Sequence, residues 1–207
     1  MIMNRGKFIT LEGIDGAGKS TQLETIADYL KRHGKQVVVT REPGGTPLGE
    51  KIRALLLSLP MHIETETMLM FAARREHLAQ VVMPALAAGH WVLSDRFTDA
   101  TYAYQGSGRG LSKDRIAVLE QWVQQGLQPD LTLVFDVPVE LAERRLASTA
   151  SEHDRFEREG RQFFERVRAS YLDRATANPA RIRVVDGSQP QKEVKVMVED
   201  ILSSICR

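Results

Sequence analysis

The sequence predicts an α/β fold in which a five-stranded parallel sheet is flanked by helices. The first observation is that five short β-prone runs alternate with longer segments of helical apolar spacing. The second is a glycine-rich turn, residues 13–18, that follows the first run and leads into the first helical segment. Alternation of strands and helices favours parallel pairing, because a parallel crossover needs a connection about as long as a helix.

Each predicted strand is a short apolar run. The runs are residues 7–11, 36–40, 91–94, 131–135 and 182–185. The first helix is predicted to begin at Lys19 and to end near His33. Helical apolar spacing is found in residues 22–32, 50–57, 64–88, 113–125, 139–146, 160–177 and 191–205.

Polar side chains stand where three of the predicted strands end. They are Arg41, the pair Asp95 and Arg96, and Asp136. In open parallel sheets, ligands bind outside the carboxyl ends of the strands. We therefore expect these side chains to converge on the glycine-rich turn.

Composition narrows the function classes. The 207 residues, 43% of them hydrophobic, are enough for one domain spanning residues 1–207. The 28 basic and 27 acidic residues leave a net charge of +1, which predicts neither nucleic-acid nor membrane binding. No run is long enough for a signal peptide core or a membrane span, and the single cysteine, Cys206, suits a reducing compartment. These features predict a cytoplasmic protein.

The glycine-rich turn carries the phosphate-binding pattern G-x-x-x-x-G-K-[ST] at residues 13–20. Glycines let several backbone N–H groups point at one anion, Lys19 reaches the β- and γ-phosphates, and the Ser20 hydroxyl ligates Mg²⁺. The alternative is a surface turn with a solvated lysine, but the flanking strand and helix favour a nucleotide triphosphate, with ATP as the expected cofactor. The predicted ATP-binding residues are Gly13, Ile14, Asp15, Gly16, Ala17, Gly18, Lys19, Ser20 and Thr21.

Four arginines border the predicted strand ends, and a guanidinium can hold a phosphate with two hydrogen bonds. They are Arg41, Arg53, Arg75 and Arg96. Each taken alone is better explained as a surface salt bridge. Their joint position favours a second, anionic substrate.

Several motifs along the chain together resemble the bacterial thymidylate kinases. They are the loop 13–20, Thr40-Arg41-Glu42-Pro43-Gly44-Gly45-Thr46, Leu69-Met70-Phe71-Ala72-Ala73-Arg74-Arg75, Asp95-Arg96-Phe97 and Tyr102-Ala103-Tyr104-Gln105-Gly106-Ser107-Gly108-Arg109-Gly110. The resemblance implies the P-loop NTPase fold with a small flexible lid. It also implies transfer of a phosphoryl group from ATP, with Mg²⁺, to dTMP.

The resemblance also implies which residues recognise the base and sugar of dTMP. The ring of Phe71 is expected to stack on thymine, and Arg75, one helical turn later, to donate to O4. Ordinary core packing is the alternative for Phe71. Thr101 and Gln105 match positions that face the base, and Tyr104 matches an aromatic position that disfavours a 2′-hydroxyl.

The acceptor phosphate is assigned in the same way. Arg53 and Arg96 match the residues that clamp it, and Glu42-Pro43 shape the loop beside it. Asp15 is expected near the sugar 3′-hydroxyl, with a solvated loop carboxylate as the alternative. Asp95 is predicted to hold Mg²⁺ through water, or else to form a buried salt bridge with Arg96.

The catalytic residues predicted from the resemblance are Lys19, Arg155, Arg96 and Asp15. Some family members carry an arginine in the phosphate loop where this chain has Gly16. The missing charge is expected from the charged lid, about residues 147–161, with Arg155 the first choice and Arg158 and Arg161 next. A nucleotide acceptor is already an anion, so no histidine base is expected.

Two other functions stay open from the sequence. One is a nucleoside monophosphate kinase with a different base specificity, and the other is a non-enzymatic P-loop switch. The long helix predicted at residues 64–88 is a candidate dimer face, although a buried core helix explains it equally well. A homodimer is implied by the resemblance alone.

Overall fold

The structure is a computed structural model that describes residues 5–147 and 155–206. Five strands form one parallel sheet in the order β2-β3-β1-β4-β5. The strands are β1 (Phe8–Glu12), β2 (Val37–Arg41), β3 (Trp91–Asp95), β4 (Leu131–Asp136) and β5 (Ile182–Asp186). All five predicted strands are confirmed, with ends that differ from the predicted ones by one residue at most.

Helices connect the strands and flank the sheet. They are α1 (Lys19–Arg32), α2 (Pro47–Ser58), α3 (Ile63–His77), α4 (Met83–Ala87), α5 (Thr98–Thr101), α6 (Lys113–Gln124), α7 (Val139–Ala147), α8 (Arg161–Ala177) and α9 (Gln191–Ser203). Two π-helical segments extend α-helices, at Leu78–Val82 after α3 and at Tyr102–Gly108 after α5. The first interrupts the single helix predicted for residues 64–88.

Apolar side chains cover both faces of the sheet. In β1, Ile9 and Leu11 belong to one buried cluster, whereas Phe8 belongs to another. Successive side chains of a strand point to opposite faces, so β1 contributes to one cluster on each face of the sheet. The larger cluster includes α1 and α9, which contact each other. Burial on both faces explains why the three central strands, β1, β3 and β4, are apolar runs, whereas the edge strands β2 and β5 each expose a valine.

The helix Thr98–Gly108, formed by α5 and the second π-segment, was not predicted. Gly106 and Gly108 resemble turn residues in the sequence, but both are buried here. A Cβ on Gly108 would lie 2.6 Å from the ring of Phe163, so glycine permits close packing against α8. This helix carries three of the predicted acceptor-site residues.

None of the helices in residues 5–147 and 155–206 combines the length and the apolar character that a bilayer crossing requires. Of the predicted lid, residues 148–154 lie outside the described part of the chain. The described remainder leads into α8.

Candidate active site

The phosphate loop runs from the end of β1 to the start of α1. Gly18, with φ 92°, is the N-cap of α1, so the helix N-terminus faces the loop. The ammonium group of Lys19 is buried and donates to the carbonyl oxygens of Gly13 at 3.1 Å and Ile14 at 2.9 Å. Burial, together with the charge of Arg96, lowers the pKa of Lys19. The geometry is that of a loop able to bind phosphate through backbone N–H groups and one cation.

Gly16 shows why this loop has no arginine at that position. Its φ is 80°, and a Cβ there would lie 2.5 Å from the carbonyl oxygen of Ala142 in α7. Any side chain would therefore clash with backbone, in addition to the cost of a left-handed conformation. The positive charge that complements this loop has to come from another segment.

A cavity lies beside the loop, at the carboxyl ends of the strands, where parallel sheets bind ligands. It is lined by Asp15, Glu42, Pro43, Arg53, Leu57, Met70, Arg74, Arg96, Phe97, Ala100, Thr101, Tyr104, Gln105 and Phe156. Eight of the ten residues predicted to bind dTMP are in this set, and Phe71 and Arg75 are not.

Asp15, Arg96 and Tyr104 form the wall of the cavity next to the loop. Arg96 Nη2 donates to Asp15 Oδ1 at 2.6 Å and to the Tyr104 hydroxyl at 3.0 Å, and that hydroxyl donates to Asp15 Oδ2 at 3.1 Å. Burial alone would raise the pKa of Asp15, but the charges of Arg96 and Lys19 outweigh it and lower the pKa to about 2. Asp15 is thus an ion-paired carboxylate and not a solvated loop residue. It also lines a second cavity on the other side, with Ala142 and Glu157.

The turn after β3 holds Arg96 in an unusual backbone conformation, with φ 68°. The next residue, Phe97, donates its N–H to Glu12 Oε1 at 2.7 Å, and Tyr171 donates to Glu12 Oε2 at 2.9 Å. Glu12 is fully buried, and burial, reinforced by the charge of Asp99, raises its pKa well above its usual range. Hydrogen bonds to Glu12 therefore support the turn that directs Arg96 toward Asp15.

A second buried cluster forms the opposite side of the cavity. Glu42 accepts from Arg74 Nε at 2.7 Å and hydrogen-bonds His77 Nδ1 at 2.8 Å. Burial alone would raise the pKa of Glu42. The charge of Arg74 and the hydrogen bond with His77 lower the pKa by more, so the net shift is downward. The Glu42–Pro43 peptide bond is cis, and the Pro43 carbonyl accepts from Arg53 Nη1 at 3.1 Å.

Arg74 retains one unused donor in this cluster. Its Nη2 donates to Thr101 Oγ1 at 3.1 Å, whereas Nη1 is buried without a hydrogen-bond partner. A buried donor without a partner is costly unless a ligand satisfies it. Arg74 lines the cavity, so Nη1 is a candidate donor to a bound molecule.

The structure places Phe71 and Arg75, the residues predicted to contact the base, outside the lining of the cavity. Phe71 is 2% exposed and packs in the core cluster with Phe97, and Arg75 is exposed and donates to the carbonyl oxygen of Val123 at 3.4 Å. The cavity is lined instead by Met70 and Arg74, which are also four residues apart. Each residue turns a helix by about 100°, so a shift of one position moves the pair from the core to the cavity.

The structure also places Arg155 away from its predicted partners. Its backbone N–H donates to Leu57 O at 3.3 Å, and its side chain donates to Leu56 O at 3.1 Å and to Glu66 Oε2 at 2.5 Å. In this arrangement it pairs with the buried Glu66 and not with the phosphate loop. Its neighbour Phe156 lines the cavity beside the phosphate loop, which is called the acceptor cavity below because eight of the residues predicted to bind dTMP line it.

The other candidate arginines have separate partners. Arg41 pairs with Glu50 at 2.9 Å, and Arg161 pairs with Glu143 at 2.6 Å, both on exposed surface. Arg158 is exposed. None of the three lines the acceptor cavity.

The predicted magnesium ligands lie at the phosphate loop and at the end of β3. Ser20 is exposed in the first turn of α1, and Asp95 Oδ1 is buried without a hydrogen-bond partner. Arg96 pairs with Asp15, so the alternative Asp95–Arg96 salt bridge is not formed. Within the described residues, no group of three His, Cys, Asp or Glu side chains is arranged to hold a metal. The orphan carboxylate oxygen fits a cation that also takes oxygen ligands from phosphates.

The fold and the two cavities that meet at Asp15 define a class: a P-loop α/β protein with a phosphate-binding loop beside a separate cavity for an anion. Sequence comparison agrees. The profile of the family described as thymidylate kinase matches residues 11–198. The chain belongs to the thymidylate kinase family, and is therefore a phosphotransferase.

Individual relatives match over almost the whole chain. The thymidylate kinase of Cupriavidus metallidurans is 63% identical over 97% of this chain and 100% of the relative. That of Bordetella petrii is 62% identical over 97% of both chains. The crystal structure of thymidylate kinase from Ehrlichia chaffeensis superposes with a TM-score of 0.79 at 35% identity, covering 96% of this chain and 99% of that one.

Proposed function

We propose that this protein transfers the γ-phosphoryl group of ATP to dTMP, giving dTDP, with Mg²⁺. The observation that carries the proposal is the position of Asp15 and Arg96 between the phosphate loop and the neighbouring cavity. Transfer of a phosphoryl group between two nucleotides needs a donor site and an acceptor site that adjoin and face each other. The family comparison supports dTMP as the acceptor.

The acceptor cavity suits a thymine nucleotide by its hydrogen-bonding groups. Arg74 Nη1 can donate to a carbonyl oxygen of the base, and Thr101 and Gln105 line the same region. Arg53 and Arg96 supply guanidinium groups for the acceptor phosphate. Tyr104 lies between the base region and Asp15, next to where the sugar of the acceptor is expected.

The transfer itself requires alignment and charge neutralisation. An acceptor phosphate oxygen is an anion near neutral pH and needs no general base. Lys19 and Arg96 approach the transferred group from the two sides of the loop, and a further arginine from the lid, Arg155 by sequence, is proposed to complete the charge. Ser20, with Asp95 behind it, would hold Mg²⁺, which neutralises phosphate charge when bound.

Acceptor-dependent formation of ADP tests this function. ATP and Mg²⁺ are supplied with dTMP, dUMP, dCMP, AMP or GMP, and an acceptor-free reaction is the control. We expect dTMP to give the fastest turnover and dUMP some activity, because one methyl group supplies only ~1–3 kcal/mol of discrimination. Preference for AMP or GMP would indicate another kinase specificity, and hydrolysis independent of acceptor would contradict a kinase.

We further propose that two copies of the chain associate through α3 and α6. The two helices contact each other and expose Met68, Val118 and Trp122, with 54%, 68% and 76% of their surfaces accessible. Exposed large apolar side chains on adjacent helices are typical of a protein interface. Light scattering of Trp122→Lys is expected to give a monomer, whereas the control Val196→Lys, on α9, stays dimeric.

The single cysteine supports a location in the cytoplasm.

A further inference from the structure

Gln105 lies at the base end of the acceptor cavity, and its amide is oriented by one contact. Its Nε2 donates to Glu66 Oε1 at 2.8 Å, and the residue is 2% exposed. A carboxylate accepts hydrogen bonds but does not donate them, so the NH₂ group of Gln105 has to face Glu66. The amide oxygen Oε1 accepts no hydrogen bond from the described residues and is left to a ligand.

Together with Arg74, Gln105 gives the cavity one free donor and one free acceptor. Arg74 Nη1 is the donor without a partner, and Gln105 Oε1 is the acceptor. Thymine and uracil present a carbonyl oxygen next to an imide N–H, which is the complementary pair. Cytosine presents an amine next to an unprotonated nitrogen, so both contacts with cytosine would be unfavourable.

Glu66 is itself held in place by two arginines. It is fully buried, accepts from Arg155 Nη2 at 2.5 Å, and lies 3.2 Å from Arg109 Nε. Arg109 in turn lies 2.8 Å from Glu159 in the segment that precedes α8. Two guanidinium groups therefore flank the buried carboxyl group of Glu66.

We propose that Glu66 is a positioning residue that fixes the Gln105 amide with its oxygen toward the base, and so sets the preference for an imide base over cytosine. The proposal rests on the proposed function. Glu66 does not line the cavity and acts through Gln105. A purely structural role for Glu66 would affect all acceptors equally.

The decisive variant is Glu66→Gln, measured for kcat/KM with dTMP and with dCMP and for Kd of each by calorimetry. A glutamine at position 66 can donate as well as accept, so the Gln105 amide can take either orientation. We expect the dTMP-to-dCMP ratio of kcat/KM, and of affinity, to fall at least tenfold. The ratio would be unchanged if Glu66 only stabilised the fold.

Glu159→Gln is the matched control. It removes a carboxylate that pairs with Arg109 and leaves the contact between Glu66 and Gln105 intact. Its ratio is expected to equal that of the wild type. An unchanged ratio in Glu66→Gln, or an equal fall in both variants, would overturn the proposal.

Loss of the Glu66 charge removes the carboxylate that pairs with Arg155 and leaves Arg109 paired with Glu159 alone, which can prevent folding. The double variant Glu66→Gln/Arg109→Gln restores the charge balance and is compared with Arg109→Gln alone. The same tenfold fall supports the proposal, and an unchanged ratio overturns it. Wild-type activity with dTMP is measured first, so that failure of the proposed function is seen separately.

Discussion

The acceptor cavity and the phosphate loop meet at Asp15, but they are built in different ways. The acceptor cavity depends on side chains already paired with each other, such as Glu42 with Arg74 and Asp15 with Arg96. The phosphate loop depends on backbone, and Lys19 bonds to carbonyl oxygens of the loop itself. The acceptor side is therefore preorganised for shape and hydrogen bonding, whereas the loop presents general affinity for phosphate.

This difference separates the residues that determine specificity from those that determine rate. Substitutions around the acceptor cavity are expected to change which nucleotide binds and how tightly. Substitutions at the loop and lid are expected to change turnover, because these groups meet the charge that develops during transfer. Variants on the two sides of this division should separate effects on binding from effects on turnover.

Lys19→Ala gives the largest expected effect. Removal of the loop cation is expected to lower kcat at least ~10³-fold while calorimetry gives a Kd for dTMP within about threefold of the wild type. Lys31→Ala, at the exposed last turn of the same helix, is the control and should leave both unchanged. A Lys19→Ala enzyme with a tenth of wild-type turnover would remove Lys19 from the mechanism.

Arg155→Ala tests whether the lid belongs to the rate side of the division. We expect kcat to fall ~10²- to 10³-fold with a small change in KM for dTMP, since a single arginine at the transferred group can have this effect. Arg161→Ala, which removes an exposed pair with Glu143, is the control. A change confined to KM for dTMP would mean that Arg155 acts through its contact with Glu66 and the cavity wall.

Met70 and Phe71 provide a paired test within one helix. Met70→Ala is expected to raise KM for dTMP about tenfold, because Met70 lines the cavity. Phe71→Ala is expected to lower the free energy of unfolding by about 3–5 kcal/mol, because Phe71 is buried in the core. Denaturant unfolding and steady-state kinetics of both variants separate the two effects, and a specific rise in KM for Phe71→Leu would restore the sequence prediction.

Glu12 gives an effect that is spread over several pH units, a slope of stability with pH. Its pKa is raised in the folded protein, so the folded state binds more protons than the unfolded state above pH 4.5. Stability should therefore fall as pH rises through neutrality, by up to about 1.4 kcal/mol per pH unit, relative to Glu12→Gln. Urea unfolding of both proteins from pH 5 to 9 measures this slope. If the free energy of unfolding changed with pH in the same way in both proteins, the raised pKa would be contradicted.

The sequence predicted the fold because its signals were local. The central strands β1, β3 and β4 are apolar runs buried on both faces, and the phosphate loop has a defined spacing. The Thr98–Gly108 helix was missed because Gly106 and Gly108 are common in turns, and only packing against α8 favours a helix there. Its π-helical geometry has no sequence pattern comparable to the helical period.

The site was predicted only as far as motifs define single positions. Asp15, Arg96 and Gln105 belong to motifs that align with the sequence in only one way, and in the structure all three line one cavity. The pair on α3 is not defined by spacing alone, because Met70 with Arg74, which line the cavity, and Phe71 with Arg75, which do not, are both four residues apart. Glu66 carries no motif, and its importance depends on contacts between distant segments.

The place of Asp15 between two cavities has a thermodynamic consequence. A ligand on either side changes the electrostatic environment of one shared carboxylate and its guanidinium partner. A molecule bound in either cavity would therefore alter the free energy with which a second molecule binds in the other, and linkage requires the two alterations to be equal. The two cavities are in this sense two halves of one binding equilibrium.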